Sequence, residues 1–274
     1  MPIAHVNGTD LYYELHGEGP SVVFVHGENH GIEMFDQQVA HFSPRYRCVT
    51  YYRRGHGRSA SAPYGYSLWN QTLDLLGLLD ELGLDRFALV AVAMSTPIAV
   101  TYTVRNQARV SALVLASWYE LDGYPQLEER RPARTPFPAL NLRMYEIRQR
   151  EGQAALEAYM QEAARTEFPI LPDDPEQRST LIRMFTSHPP ERYLHAAEFY
   201  TSLPHLIPEL RRVTCPVLGI CGKDDPSPDR PEPLGEMPNF RQAWVDGARR
   251  FPTLERPAAF NEELEKFLRE GGAG

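Results

Sequence analysis

The sequence predicts an α/β fold, a mostly parallel β-sheet flanked by helices, with a helical region inserted late in the chain. Two observations predict it. Short β-rich runs alternate with helical segments in residues 1–117, and the alternation resumes in residues 213–274. Between them, residues 118–212 show helical stretches rich in Glu, Arg and Gln, broken by prolines and without a clear strand pattern. We therefore expect a core built from residues 1–117 and 213–274 and an inserted helical cap at 118–212.

The first β-rich runs are LYYELHG at residues 11–17 and SVVFVHG at residues 21–27. Gly and Pro separate them, which predicts a hairpin. The second run is largely apolar, so we expect both of its faces to be covered. A helical segment, EMFDQQVAHF, follows, and then a further strand, YRCVTYY at residues 46–52.

A long helix then begins, with Ser67 placed to cap it and Gly83 placed to end it. Its apolar residues fall on one stripe: Leu68, Leu75, Leu76, Leu79 and Leu82. The strand RFALVAVA, a helix from about Ser95 to Asn106 and the strand VSALVLAS come next. After the cap, CPVLGICG and FRQAWVDG continue the sheet, and a final amphipathic helix places four apolar residues on one face: Phe260, Leu264, Phe267 and Leu268. Repeated strand–helix–strand units of this kind predict helices on both faces of a parallel sheet.

Composition limits the partners of the chain. Its 274 residues carry 28 basic and 36 acidic side chains, giving 28 − 36 = −8, with no dense basic cluster. We therefore expect no nucleic acid and no anionic membrane surface as a partner. Cys48, Cys215 and Cys221 lie in strand-like runs and are too few and too irregularly spaced for a disulfide framework or a zinc site. Buried, reduced thiols are the expectation.

The first ten residues, MPIAHVNGTD, lack the basic start and apolar stretch of a signal peptide, so we expect a cytoplasmic protein. Residues 87–104 carry no charge and approach the length of a membrane helix. They also contain serine, proline and three threonines, which favours a buried strand followed by a buried helix.

Several of these segments together resemble the α/β-hydrolase superfamily, in particular its capped single-domain members. VVFVHG resembles the family's HG oxyanion segment, YYRRGHGRS the loop after the next strand, and LERPAAFNEELEKFL the last helix. The resemblance covers nearly the whole chain and implies the α/β-hydrolase fold. It also implies a chemistry in which a serine attacks a carbonyl, a histidine takes its proton, an acid orients the histidine and backbone amides hold the oxyanion.

The nucleophile of that chemistry is missing. The family's G-x-S-x-G elbow falls on residues 91–95, a register fixed by the downstream RVSALVLAS, and this puts Ala93 in the position of the serine. Both elbow glycines are absent as well. The alternative is that Ser95 acts as a shifted nucleophile, although it would then lie inside the helix rather than on the strained turn.

The position of the family's acid keeps a carboxylate, whereas the position of its histidine does not keep an imidazole. Asp225 occupies the position of the family's acid in GKDDPSP, or else it merely caps that loop. Arg250 stands where the family has its histidine, in DGARRFP, and no histidine occurs after His205. An Asp225–Arg250 pair is expected in place of acid and imidazole. Arginine stays protonated, so it cannot serve as an ordinary general base.

Other parts of the resemblance remain. The backbone amides of Glu28 and Met94 take the positions of the oxyanion donors. The Glu28 side chain is either paired with Arg250, used as a base, or solvated on its loop. His30 is the candidate replacement acid or base, because an ordinary histidine pKa suits proton transfer near neutrality, or it is a simple loop residue. Ala93, Trp118 and Tyr119 are expected to contact the ligand, the two aromatic residues from under the cap.

Three functions fit this pattern. The first is a non-hydrolytic enzyme of natural-product biosynthesis that carries out a cofactor-independent cyclisation, isomerisation or C–C lyase step on an apolar carbonyl compound. Its catalytic residues are then Arg250, Asp225, His30, Glu28 and Met94. The second is a ligand-binding pseudoenzyme, and the third is an unconventional hydrolase that activates water. No pattern predicts a metal, a nucleotide or a flavin, and the oligomeric state is left open.

Overall fold

The computed structural model describes residues 2–117, 121, 123, 137–166, 171–225 and 232–271. Its strands are β1 (Ile3–Val6), β2 (Thr9–His16), β3 (Ser21–Val25), β4 (Arg47–Tyr51), β5 (Phe87–Val92), β6 (Val110–Ala116), β7 (Val217–Gly222) and β8 (Phe240–Val245). They form one sheet in the order β1-β2-β4-β3-β5-β6-β7-β8. The pairs β1·β2 and β2·β4 are antiparallel, and every pair from β4 through β3 to β8 is parallel.

The helices alternate with these strands. They are α1 (Asp36–Phe42), α2 (Leu68–Glu81), α3 (Thr96–Arg105), α4 (Phe137–Arg150), α5 (Gln153–Thr166), α6 (Pro175–Thr186), α7 (Glu191–Thr201), α8 (Pro252–Glu255) and α9 (Pro257–Glu270). The Ser67 side chain accepts a hydrogen bond from the Asn70 backbone N–H and caps α2, as predicted, and Gly83 after it is left-handed at φ 61. The predicted α/β class and mostly parallel sheet are confirmed.

One predicted pairing is wrong. The runs at residues 11–17 and 21–27 become β2 and β3, but these strands are not neighbours, because β4 lies between them. The hairpin joins β1 to β2 instead. Its turn is Asn7-Gly8, and both residues are left-handed, at φ 46 and 70, which matches the right-handed twist of paired strands.

The sheet separates two apolar layers. Along β5, Leu89 and Ala91 belong to the layer that contains α2 and α3, while Val90 and Val92 belong to the opposite layer. The predicted face of α9 lies wholly in that second layer, with Phe260, Leu264, Phe267 and Leu268 all buried. The alternation of the β5 side chains between layers is the reason why the strand reads as continuously apolar.

The described residues between β6 and β7 include the four helices α4 to α7, which we call the cap helices. Helix α7 is fixed to the core through the segment that begins α2. The His195 ring stacks on Tyr66 with centroids 4.2 Å apart, and the Ser202 hydroxyl accepts a hydrogen bond from the Leu68 N–H at 2.8 Å. Among the helices described, none is both long and apolar enough to span a membrane.

Candidate active site

The turn after β5 keeps the shape of a nucleophile elbow. β5 ends at Val92, a short 3₁₀ turn covers Ala93–Ser95, and α3 follows at once. Ala93 has φ 53, in the left-handed region that residues with a Cβ rarely adopt. That conformation costs an L-residue about 1–2 kcal/mol. The strained position is therefore Ala93, the residue that the sequence register assigns to the missing serine.

The hydroxyl group of Ser95 is hydrogen-bonded to the backbone. Its side chain is fully buried, and its hydroxyl donates to the Val25 carbonyl oxygen at 2.7 Å while accepting from the Val92 N–H at 2.9 Å. Its φ of −88 is an ordinary helical value. Ser95 therefore stabilises the turn from inside and is not presented as a nucleophile.

Asp225 and Arg250 form an ion pair. The Arg250 Nε lies 2.8 Å from Asp225 Oδ2, and the two side chains are 7% and 12% exposed. The Asp224 N–H donates to the Ala248 carbonyl, which ties the loop after β7 to the loop after β8. Gly222 permits this approach, because a Cβ atom there would overlap the carbonyl oxygens of Ala248 and Arg249. The positions of the family's acid and base thus meet in space, as a carboxylate and a guanidinium.

A buried glutamate holds the Arg250 loop in place. Glu255 accepts hydrogen bonds from the backbone N–H groups of Arg249, at 3.0 Å, and Phe251, at 2.7 Å. These two amides flank Arg250 on both sides. The backbone of Arg250 is therefore fixed independently of its own side chain.

Glu28 is neither solvated nor exposed. Its side chain is 1% exposed, and it contacts two guanidinium groups, Arg53 of the core at 3.3 Å and Arg192 of α7. Glu28 is therefore not the solvated loop residue that the sequence offered as one alternative. It does not form the other expected pair either, because Arg250 pairs with Asp225. The Glu28 carboxylate is therefore engaged with two cations inside the protein.

His30 lies against the elbow and inside an aromatic cluster. A Cβ atom on Gly27 would lie 2.6 Å from His30 Nδ1 and 3.0 Å from the Val92 carbonyl oxygen, so these three groups converge. The ring of His30 stacks on Phe185 of α6 at 5.2 Å and meets Phe251 edge-on at 5.5 Å. The residue after Arg250 and a cap helix therefore both contact it.

Burial changes the chemistry expected of His30. It lowers the pKa of His30 to about 3, with further contributions from His188 and Arg53. The sequence-based expectation of an ordinary pKa is therefore corrected. At neutral pH the ring is uncharged, so it has no proton to give as an imidazolium acid and is only a weak proton acceptor.

Three further histidines lie below this cluster. The rings of His26 and His188 each lie 4.8 Å from the ring of His56. Burial lowers the pKa of all three, that of His188 to about 4. The Arg53 N–H donates to His26 Nε2 at 3.0 Å, which agrees with an uncharged ring. His188 was not predicted, because nothing in the helical pattern of the cap distinguishes it from a surface residue.

The remaining predicted residues divide into two groups. Met94 follows Ala93 in the first turn of the helical segment, where backbone N–H groups lack intrahelical acceptors, and its side chain is buried. Trp118 and Tyr119 lie outside the described residues. Within the described ranges, no group of three His, Cys, Asp or Glu side chains is arranged to hold a metal ion.

Comparison with known proteins agrees with this architecture. The sequence matches the profile of the alpha/beta hydrolase family over residues 22–263. It is 24% identical to 3-oxoadipate enol-lactonase 2 of Acinetobacter baylyi, over 98% of this chain and 99% of that protein. The solved enol-lactonase from Burkholderia xenovorans superposes with a TM-score of 0.77 at 24% identity, covering 98% of this chain and 100% of that one. An esterase from Thermogutta terrifontis superposes with a TM-score of 0.80 at 22% identity, covering 98% of each chain.

Proposed function

Because the chain belongs to the alpha/beta hydrolase family but carries alanine at the strained elbow position, we propose that it is a non-hydrolytic enzyme of that fold. The proposed reaction is a cofactor-independent cyclisation, isomerisation or C–C lyase step on an apolar carbonyl compound. The observation that carries the proposal is the left-handed Ala93, since backbone strain is retained where the surrounding structure has a use for it. In this proposal the Met94 backbone amide, next to Ala93, donates to the carbonyl oxygen of the substrate.

The absence of a covalent intermediate follows from the same position. A methyl group at Ala93 cannot attack a carbonyl, and the buried Ser95 hydroxyl is occupied by Val25 and Val92. The proposed catalysis is electrostatic: backbone amides and the fixed cation of Arg250 stabilise negative charge that develops on the substrate oxygen. Donors of this kind lower a barrier by about 3–4 kcal/mol each when they are preorganised.

The two candidate proton acceptors of the site, Glu28 and His30, bear on which of the three proposed reactions fits best. The carboxyl group of Glu28 is occupied by two arginines, and burial depresses the pKa of His30 to about 3. Glu28 is engaged in ion pairs and His30 is a weak proton acceptor, so a reaction that begins with abstraction of a proton from carbon is poorly served by them. A cyclisation or isomerisation driven by carbonyl polarisation and by substrate positioning suits the site best.

The names of the relatives support a carbonyl ligand. An enol-lactonase and an esterase are named for compounds with an ester carbonyl. We propose that this chain keeps the carbonyl-binding part of the site and has lost the part that delivers water. A hydrolase that activates water without a serine is the competing function, and it differs in the origin of the product oxygen.

The test uses that difference. The purified protein is incubated with a small-molecule extract of its source organism in H₂¹⁸O, and the products are followed by liquid chromatography and mass spectrometry. We expect a compound that changes retention at constant mass, or two products whose masses sum to that of the substrate, without ¹⁸O. A product that gains the mass of water and carries ¹⁸O would establish hydrolysis. A compound that binds and is recovered unchanged would establish a binding protein.

A matched pair of variants links the reaction to the site. Arg250→Gln removes the cation at the old histidine position and is expected to reduce conversion by about 10²-fold or more, as for loss of one electrostatic donor. Arg249→Gln is the control, because Arg249 is adjacent in sequence but its side chain pairs at the surface with Asp173. Equal conversion by both variants would remove Arg250 from the mechanism.

A further inference from the structure

The buried cluster beneath the cap contains more positive than negative groups. Arg53 and Arg192 share one carboxylate, that of Glu28, and all three side chains are at most 1% exposed. Burial lowers the pKa of Arg53 to about 10 and that of Arg192 to about 9, so both remain protonated at neutral pH. A buried charge without a counter-charge is strongly unfavourable. The nearby Asp74 carboxylate is paired with Arg54, so the cluster keeps one unbalanced positive charge and would accommodate one more anion.

The two arginines differ in how many of their guanidinium nitrogens have a hydrogen-bond acceptor. Every nitrogen of the Arg53 guanidinium has an acceptor: Gln71 Oε1 at 2.8 Å, the His26 carbonyl at 3.4 Å and Glu28 at 3.3 Å. Arg192 Nε lies 3.2 Å from His56 Nε2, and its Nη2 contacts Glu28. The guanidinium carbon Cζ of Arg192 lies over the Tyr66 ring, 5.6 Å from the ring centroid. Its Nη1, although buried, has no hydrogen-bond partner among the described residues.

We infer that Arg192 binds a carboxylate of the substrate through Nη1. This inference deepens the proposed function and rests on it, since it assigns the missing anion to the substrate of that site. A planar guanidinium with an unfilled donor is suited to a carboxylate. The position fits as well, because Glu28, which Arg192 contacts, lies on the same loop as His30, the residue beside the elbow.

The surroundings indicate the rest of the ligand. His30, Phe185 and Phe251 form a set of flat rings next to the elbow, and the His188 ring lies 4.8 Å from that of His56, which contacts Arg192. Flat rings pack best against a flat, apolar body. The substrate class is therefore an aromatic or polyunsaturated carboxylic acid, with its carbonyl at the elbow and its carboxylate at the cap helix α7.

Binding of chosen probes tests the inference without turnover. Benzoate, 2-naphthoate and anthracene-2-carboxylate are each compared with the corresponding primary amide by isothermal titration and thermal shift. We expect at least one acid to bind wild type about tenfold or more tightly than its amide, because a buried charged donor distinguishes an anion from a neutral group. The inference is overturned if no acid binds, or if each amide binds as well as its acid.

Variants assign the preference to one residue. Arg192→Gln is expected to fold, because Glu28 keeps Arg53 as its partner, and to lose the preference for the acid. Arg192→Lys should keep part of it. Arg183→Gln, an exposed position on the preceding cap helix, is the matched control and should behave as wild type. Survival of the preference in Arg192→Gln would contradict the inference. A preference for acids without any turnover would leave the inference standing and remove the proposed function.

Discussion

The hydroxyl group of Ser95 donates to the carbonyl oxygen of Val25, 2.7 Å away, and so joins the start of the elbow helix to the end of β3. Ser95→Ala leaves this carbonyl and the Val92 N–H without their buried partner. We expect the free energy of unfolding to fall by about 1–3 kcal/mol, measured by urea denaturation. Ser179→Ala, at an exposed site on α6, should change it by less than about 0.5 kcal/mol. Loss of all turnover in a folded Ser95→Ala protein would instead identify a nucleophile.

The elbow geometry predicts that ester hydrolysis can be rebuilt. Ala93→Ser alone is expected to leave 4-nitrophenyl acetate almost unhydrolysed, because the protonated Arg250 cannot accept the serine proton. Adding Arg250→His places an imidazole beside Asp225, and the double variant should exceed either single variant by about 100-fold or more. Initial rates of nitrophenolate release measure this. Equal rates for the single and double variants would show that residues 93 and 250 do not face one another.

The ion pair between Asp225 and Arg250 should be strongly coupled. Both side chains are nearly buried, so Arg250→Gln leaves a carboxylate with its main counter-charge removed. We expect a loss of about 3 kcal/mol in unfolding free energy, and a smaller loss in the double variant Asp225→Asn/Arg250→Gln. Chemical denaturation of the four proteins in the cycle gives the coupling energy. Additive effects of the two substitutions would contradict a direct pair.

As the pH is lowered, the free energy of unfolding should begin to fall at a higher pH than protonation of the carboxylates alone would produce. Burial lowers the pKa of His188 from 6.5 to about 4 and that of His30 to about 3. Between about pH 6.5 and 4 the unfolded chain therefore binds more protons than the folded chain, so stability is complete above this window and falls as pH falls. Protonation of His188 in the unfolded chain alone is expected to lower the free energy of unfolding by about 3 kcal/mol between neutral pH and pH 4.

Urea denaturation at several values between pH 7.5 and 4.5 checks this. His188→Gln is expected to flatten the dependence, whereas His5→Gln should not, because the His5 side chain is 76% exposed. A stability that stays constant between pH 6.5 and 5 would contradict the expected effect of the buried histidines.

The sequence was most informative where local signals and the fold agree. The strand and turn at residues 87–95 follow from a continuous apolar run and a fixed downstream register, and the structure places the left-handed φ at Ala93. The face of α9 followed from its helical period. The predicted β2–β3 hairpin was wrong because the Gly-Pro break between those runs does not fix their pairing, whereas the Asn7-Gly8 turn, a stronger hairpin signal, joins β1 to β2.

The cap contacts could not be predicted. Arg192 and His188 lie in a charged helical region that reads as solvent-exposed, yet both are buried against core residues more than a hundred positions away. Helical periodicity identifies a buried face but does not say what it contacts. For the same reason the burial of Glu28, and the lowered pKa of His30, depend on tertiary contacts that have no local signature.

The alanine and arginine at the elbow and loop positions also restrict how this protein can evolve. Serine at position 93 without a histidine partner, or histidine at position 250 without a serine, supplies only half of a reacting pair, and each is expected to add little hydrolysis by itself. Ester cleavage by a serine–histidine pair would therefore require the substitutions at positions 93 and 250 to be combined in one chain.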